Sequence, residues 1–186
     1  VENNSLIMGF IKILMIGMVL LFLAGCNPQK SDDFNEIKNL DNFKSKEFGF
    51  SFSFPSSWNE VARDLPERWA IINNEDTILF TVNKAQIKNL AAMGKIQALR
   101  DLYPETSDNK IEQEKIDEVN SMVKLASFNN KTWYTYAIKF PDKNVNSIVS
   151  GTLCGDNKIN LVMVSSFDTF DENEIAYSSM LNSFEC

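Results

Sequence analysis

Four phenylalanines at alternate positions constrain the fold of this chain more than any other feature. They are Phe48, Phe50, Phe52 and Phe54, with a small residue after each of the first three and Pro55 after the last. Because successive side chains of a β-strand point to opposite faces, this period of two predicts a strand with one buried aromatic face. Pro55 ends the pattern, and Trp58 is expected to close that end of the core. The chain is therefore expected to contain β-structure around an aromatic core.

Strand and helix patterns continue to the end of the chain. Strands are predicted over 69–73 and 77–83, and hairpins over 122–128 with 131–140 and 146–154 with 158–166. Residues 86–103 have helical spacing, residues 111–119 are assigned to a strand, and a last helix is predicted from Asp171, with Glu174 completing a capping box. The fold class is α+β, an antiparallel sheet of about six strands flanked by helices.

The N-terminal segment carries a targeting signal. Residues 13–24 are uninterruptedly apolar, which is short for a membrane span of about 20 residues but typical of the core of a signal peptide. The sequence Leu23-Ala24-Gly25-Cys26 that ends this run resembles the lipobox of prokaryotic lipoproteins. The resemblance implies cleavage before Cys26 and a lipid on the Cys26 sulfur. The alternative is an uncleaved anchor helix in which Cys26 is incidental.

Three segments follow from this interpretation. Residues 1–25 are the signal peptide, residues 26–46 a lipid-anchored polar tether, and residues 47–186 the folded domain. The expected location is the cell membrane, with the domain on the extracytoplasmic side.

Composition excludes several functions. The chain has 18 Lys+Arg against 25 Asp+Glu, a net charge of −7, which argues against binding to nucleic acid. It has no histidine, so it lacks the usual triad base and the commonest zinc ligand. It also has no GxSxG, P-loop or GxGxxG motif. We therefore expect no enzyme activity, no cofactor and no metal site.

Two cysteines remain after Cys26. Cys154 ends a predicted strand and Cys186 ends the chain, with 31 residues between them. An even number of cysteines in an exported domain predicts a disulfide that fixes the last helix to the sheet. The alternative is two unpaired thiols.

Acidic residues gather near the start of the last helix. They are Asp168, Asp171, Glu172 and Glu174. Carboxylates stabilise a helix N-terminus through its dipole and its free N–H groups, which explains the cluster structurally. A weak divalent-cation site is the alternative.

The segment 49–58, Gly-Phe-Ser-Phe-Ser-Phe-Pro-Ser-Ser-Trp, followed by a sheet and a terminal helix ending in Ser183-Phe184, resembles the PsbP family over about residues 45–186. The resemblance implies an α-β-α sandwich and an accessory or binding role. Histidine ligands of some plant members have no counterpart here.

These observations together predict a non-enzymatic lipoprotein. It would be held in the membrane by the lipid on Cys26, and it would serve a protein partner or a complex of the envelope. The alternatives are a lipoprotein that binds a small ligand or a divalent cation, and an exported hydrolase that uses two carboxylates.

Overall fold

The computed structural model of the protein describes residues 39–65, 67–104 and 112–186. The strands in these ranges are β1 (Leu40–Ser45), β2 (Phe50–Pro55), β3 (Asn59–Leu65), β4 (Arg68–Asn73), β5 (Asp76–Lys84), β6 (Lys124–Phe128), β7 (Lys131–Phe140), β8 (Val145–Cys154) and β9 (Asn157–Ser166). The helices are α1 (Leu90–Leu102), α2 (Gln113–Met122) and α3 (Phe170–Ser183), with a 3₁₀ turn at Pro141–Lys143.

Seven strands form an antiparallel sheet in the order β3-β4-β5-β9-β8-β7-β6. The two predicted hairpins are present as β6–β7 and β8–β9, which confirms the α+β class. The sheet has one strand more than expected at its edge, because residues 59–65 form β3, which the sequence pattern did not indicate. Strand β9 is central and pairs with β5, so the last strand of the chain joins the two halves of the sheet.

The phenylalanine strand lies outside this sheet. It is β2, which pairs with β1 in a two-stranded ribbon. Phe50, Phe52 and Phe54 are buried as predicted, and Trp58 is only 5% exposed. Strand β1 falls within residues 26–46, the segment assigned to a tether, so residues 40–45 belong to the folded domain.

The sheet has a hydrophobic core on each face. One core lies under α3 and the β1–β2 ribbon, and it contains the aromatic residues of β2 together with Phe80, Trp133, Leu161 and Met180. The other lies under α1 and α2, and it contains Met93, Ala98, Val119, Tyr134 and Tyr136. Neighbouring residues of β7, Trp133 and Tyr134, thus belong to opposite cores, as the alternation of a strand requires. The result is an α-β-α sandwich.

The strand expected over 111–119 is wrong, because Gln113–Met122 forms α2. Ile116, Val119 and Met122 are three residues apart and share one side of the helix, while the charged residues between them face solvent. Val119 and Met122 pack in the core beneath α1. The sheet edge that a strand would have occupied is taken by β6.

The last helix begins earlier than the capping box predicted. Its N-cap is Thr169, and Asp171 lies in the first turn. The Thr169 hydroxyl donates a hydrogen bond of 2.8 Å to Oδ2 of Asp76 on β5. This tertiary contact fixes the turn before α3 and so sets where the helix starts.

Candidate functional site

The structure brings Cys154 and Cys186 together. Cys154 is buried at the end of β8, and Cys186 is exposed at the end of the chain. Both are free thiols. The Sγ atom of Cys186 lies 4.0 Å from the backbone oxygen of Leu153, the residue before Cys154. Burial, with a further contribution from the neighbouring Cys186, raises the pKa of the Cys154 thiol to about 12. The two cysteines are therefore neighbours, and a disulfide between them stays a prediction.

The end of the chain is held by specific contacts. Glu185 exchanges two backbone hydrogen bonds of 2.9 Å with Ser51 of β2. Lys131 Nζ lies 2.6 Å from Cys186 Sγ and 5.7 Å from the ring centre of Phe184. Cys186 therefore has a fixed position although it is the last residue.

A cleft opens between α1 and the adjoining ends of β5 and β9. It has a volume of about 300 Å³. Its lining combines three kinds of side chain: the apolar Ile87, Met93 and Ile96, the amides Asn83, Gln86 and Gln97, and the cations Lys84, Arg100 and Lys158. The α1 residues among them, from Met93 to Arg100, are three, four and seven positions apart and so share one helix face.

Lys158 is the most enclosed of the cations. Its Nζ donates a hydrogen bond of 2.9 Å to Oε1 of Gln97. Burial lowers the pKa of Lys158, and the positive charge of Arg100 lowers it further, against the opposite effect of Asp101. Lys158 and Arg100 are thus two like charges in the lining of one cleft.

The carboxylate of Asp101, next to Gln97, already has two hydrogen-bond partners. It accepts a hydrogen bond of 2.9 Å from Gln97 Nε2 and one of 2.5 Å from the hydroxyl of Tyr136. Burial and the Asp101 carboxylate raise the pKa of Tyr136, so that phenol remains protonated. Gln97 thus links Lys158 to Asp101, with its amide oriented by both.

A second hollow of about 560 Å³ adjoins the cleft and shares Asn83, Lys84 and Gln97 with it. Asn160 of β9 lies in its wall. The Asn160 amide accepts a hydrogen bond of 2.5 Å from Tyr134 and donates one of 3.3 Å to Thr81. These two hydrogen bonds fix the orientation of the Asn160 amide in the wall of the hollow.

The four acidic residues near the start of α3 do not converge on one point. Asp168, Asp171, Glu172 and Glu174 are all exposed, and Asp171 and Glu172 occupy the first turn of the helix. Nowhere in the described ranges do three Cys, Asp or Glu side chains come together as a metal site would need. The position of Asp171 and Glu172 agrees with stabilisation of the helix dipole.

Cys26, the predicted lipid attachment site, lies outside the described residues. Within the described ranges, no helix has the length and apolar character needed to cross a membrane.

Solved structures of low sequence identity have the same architecture. The solution structure of cyanobacterial PsbP from Synechocystis sp. PCC 6803 aligns with a TM-score of 0.54 and 12% identity, over 78% of this chain and 91% of that one. The chain has the PsbP fold. The α-β-α sandwich inferred from the resemblance to PsbP is thereby confirmed. At this identity the likeness establishes the fold alone.

Two further structures align over a similar share of the chain. A crystal structure from Bacteroides thetaiotaomicron VPI-5482 gives a TM-score of 0.53 and 14% identity, over 78% of this chain and 47% of that one, so the chain spans about half the length of that protein. The Ran-binding protein Mog1p of Saccharomyces cerevisiae aligns with a TM-score of 0.50 and 11% identity, over 79% of this chain and 95% of that one. No protein-family model matches the chain, and a search of curated proteins finds no significant match.

The cleft was not predicted from the sequence. The helical spacing of residues 86–103 was, but no role was assigned to the helix face that carries Gln97 and Arg100. The spacing of the residues on that face could be read from the sequence. Their position next to Lys84 and Lys158 could not, because it depends on the pairing of β5 with β9.

Proposed function

We propose that this protein is a non-enzymatic binding protein, anchored through a lipid on Cys26 and facing the extracytoplasmic side of the membrane. The observation that carries the proposal is the run 13–24 ending in Leu23-Ala24-Gly25-Cys26. A glyceryl anchor with two acyl chains holds a protein stably, whereas one chain holds it only marginally. The domain would then act next to the membrane, on a protein partner or complex of the envelope.

The chemistry of the cleft supports binding over catalysis. Its lining offers hydrogen bonds from amides and charge from cations, and it contains no carboxylate, serine or cysteine. The hydrolase alternative requires two carboxylates across an acidic cleft, and this lining is basic. One solved protein with this fold, Mog1p, is a Ran-binding protein, so the fold serves binding there.

A disulfide between Cys154 and Cys186 is part of the proposal. It is supported by the position of the Cys186 sulfur, 4.0 Å from the backbone oxygen of Leu153, the residue before Cys154. An oxidised pair would close a loop with 31 intervening residues and hold Phe184 and the end of α3 against the sheet. Such a loop closure stabilises a domain by about 3–4 kcal/mol in chain-entropy models.

Intact mass spectrometry of the full chain purified from membranes tests the anchor and the disulfide together. We expect a mass equal to residues 26–186 plus a lipid, with two thiols that become alkylated only after reduction. The matched control is Cys26→Ser, which we expect to leave an unprocessed, unlipidated chain with the same disulfide. An unprocessed wild-type mass without lipid would contradict the anchor, and two thiols alkylated without reduction would contradict the disulfide.

A second candidate function is the binding of a small ligand by the anchored domain. The cleft beside α1 favours it, because it combines an aliphatic floor with converging amides and cations. Crosslinking at the membrane would capture a protein partner in the first case, whereas a small ligand would raise the melting temperature in the second.

A further inference from the structure

We propose that the cleft beside α1 binds a small organic anion, a carboxylate or a phosphate ester that carries a short apolar group. The inference rests on the proposed binding role and names the class of ligand that the cleft takes. Its basis is the juxtaposition of Lys84, Arg100 and Lys158 around a floor of Ile87, Met93 and Ile96.

The charge of the cleft contrasts with that of the chain. The whole chain has a net charge of −7, yet three cations and no acid line this cleft. Among the described residues, the side chains of Lys84 and Arg100 make no hydrogen bond or ion pair. Lys158 donates only to the neutral amide of Gln97. The lining of the cleft therefore carries three positive charges and no negative charge, and the Asp101 carboxylate acts on Lys158 from outside the lining.

The nearest carboxylates have other partners. Asp101 accepts hydrogen bonds from Gln97 and Tyr136, and Asp156 forms a 3.2 Å ion pair with Lys88. Glu67 lines the adjoining hollow and not the cleft. An anion bound between Arg100 and Lys158 would relieve their mutual repulsion, since opposite charge within a few ångströms stabilises both cations.

The aliphatic residues define the other half of the ligand. Ile87 is 39% exposed and Ile96 is 36% exposed, both beside the cations. An inorganic ion would leave this surface in water, whereas a short alkyl group would cover it at a gain of about 25 cal/mol per Å². The volume of about 300 Å³ suits a ligand of this size. The amides of Asn83 and Gln86 also line the cleft and can donate hydrogen bonds to its polar end.

Calorimetric titration of the full chain in detergent tests the inference. The probes are hexyl phosphate, hexanoate and inorganic phosphate, with hexylamine and hexanol as controls for the apolar group alone. We expect hexyl phosphate or hexanoate to bind more tightly than inorganic phosphate, and the controls not to bind. Binding should weaken as salt is raised, because added ions screen the cations.

Two variants place the binding in the cleft. Arg100→Gln removes an exposed charge that bonds no described side chain, so we expect an intact fold and an affinity lower by about tenfold or more. Lys158→Gln should have a similar effect. Lys95→Gln, on the same helix but outside the lining, is the matched control and should leave the affinity unchanged.

Absence of binding by all three anions would overturn the inference, and so would binding that Arg100→Gln and Lys158→Gln leave intact. Binding only to phosphatidylglycerol vesicles, with none to the soluble anions, would also overturn it, because the surface would then contact lipid. In each of these cases a lipidated mass from the membrane would still support the proposed anchored protein, so the two failures are distinguishable.

Discussion

The ring of Tyr134 lies across Gly151, its directly opposed partner on the neighbouring strand. Because Gly151 has no side chain, the Tyr134 hydroxyl passes over β8 and donates to Asn160 on β9. Asn160 in turn bonds Thr81 on β5. A single glycine thus allows one row of polar contacts to cross four strands, from the core beneath α1 to the wall next to the cleft.

Replacement Gly151→Ala should destabilise the domain. A Cβ at position 151 would overlap the Tyr134 ring, and overpacking of this kind costs about 1–3 kcal/mol. Chemical denaturation measures the loss of unfolding free energy. The same substitution in a Tyr134→Ala background should cost less, because the ring is gone. An equal cost in both backgrounds would mean that the ring is not what excludes a side chain at position 151.

Asp76 should make the domain sensitive to acid. Burial raises the pKa of Asp76, but hydrogen bonds from Thr169, Ser166, Ser165 and Asn173 outweigh it, so the net pKa lies below the usual 3.8. A depressed pKa in the folded state means that the carboxylate contributes stability above about pH 4, and that this contribution is lost as pH falls through the folded pKa.

The variant Asp76→Asn tests this dependence on pH. At neutral pH we expect it to lower the unfolding free energy by about 1–3 kcal/mol, since an amide cannot accept all the hydrogen bonds that the carboxylate accepts. The difference from the wild type should narrow as unfolding is measured at successively lower pH. Asp168→Asn, at an exposed position, is the control. A difference that stays constant down to about pH 2 would exclude titration of Asp76 as its cause.

Removal of one of the two thiols should lower the unfolding free energy only when the protein is oxidised. With the predicted disulfide formed, Cys186→Ser should lower the unfolding free energy by about 3–4 kcal/mol, the effect of opening the loop. In the presence of a reductant, wild type and variant should unfold alike. If reductant leaves the wild-type transition unchanged, the cysteines at positions 154 and 186 are not joined by a disulfide.

Phe52 and Phe80 join the ribbon to the sheet. Their rings are stacked at a centroid distance of 4.2 Å and an interplanar angle of 5°. A double-mutant cycle with Phe52→Leu and Phe80→Leu should give a coupling energy of about 0.5–1.5 kcal/mol, which is the contribution of an aromatic pair beyond its buried area. Phe54 and Phe80 form no ring pair, so Phe54→Leu with Phe80→Leu is the comparison, and equal coupling would argue against a specific effect of stacking.

The sequence predicted those elements whose own residues determine their burial. The alternation of β2 and the hairpin at Asn129–Asn130 are local, and both asparagines adopt the left-handed conformation of a tight turn. Helix α2 was not predicted, because it has few apolar residues at helical spacing and the residues between them carry charges of both signs. Strand β3 was missed because it depends on pairing with β4. The nearness of Cys154 and Cys186 could be anticipated, because one ends a predicted strand and the other follows the last helix. The cleft could not, because it joins residues about 70 positions apart.

The pairing of Ser51 with Glu185 has a consequence for the order in which the domain forms. Phe184, next to Glu185, stacks on Phe50 at 5.6 Å and meets Trp133 edge-on at 5.1 Å. The ribbon of β1 and β2 therefore finishes burying its rings only with residues that lie more than 130 positions further along the chain. Contacts of such long sequence separation slow folding, so we expect this part of the core to close late.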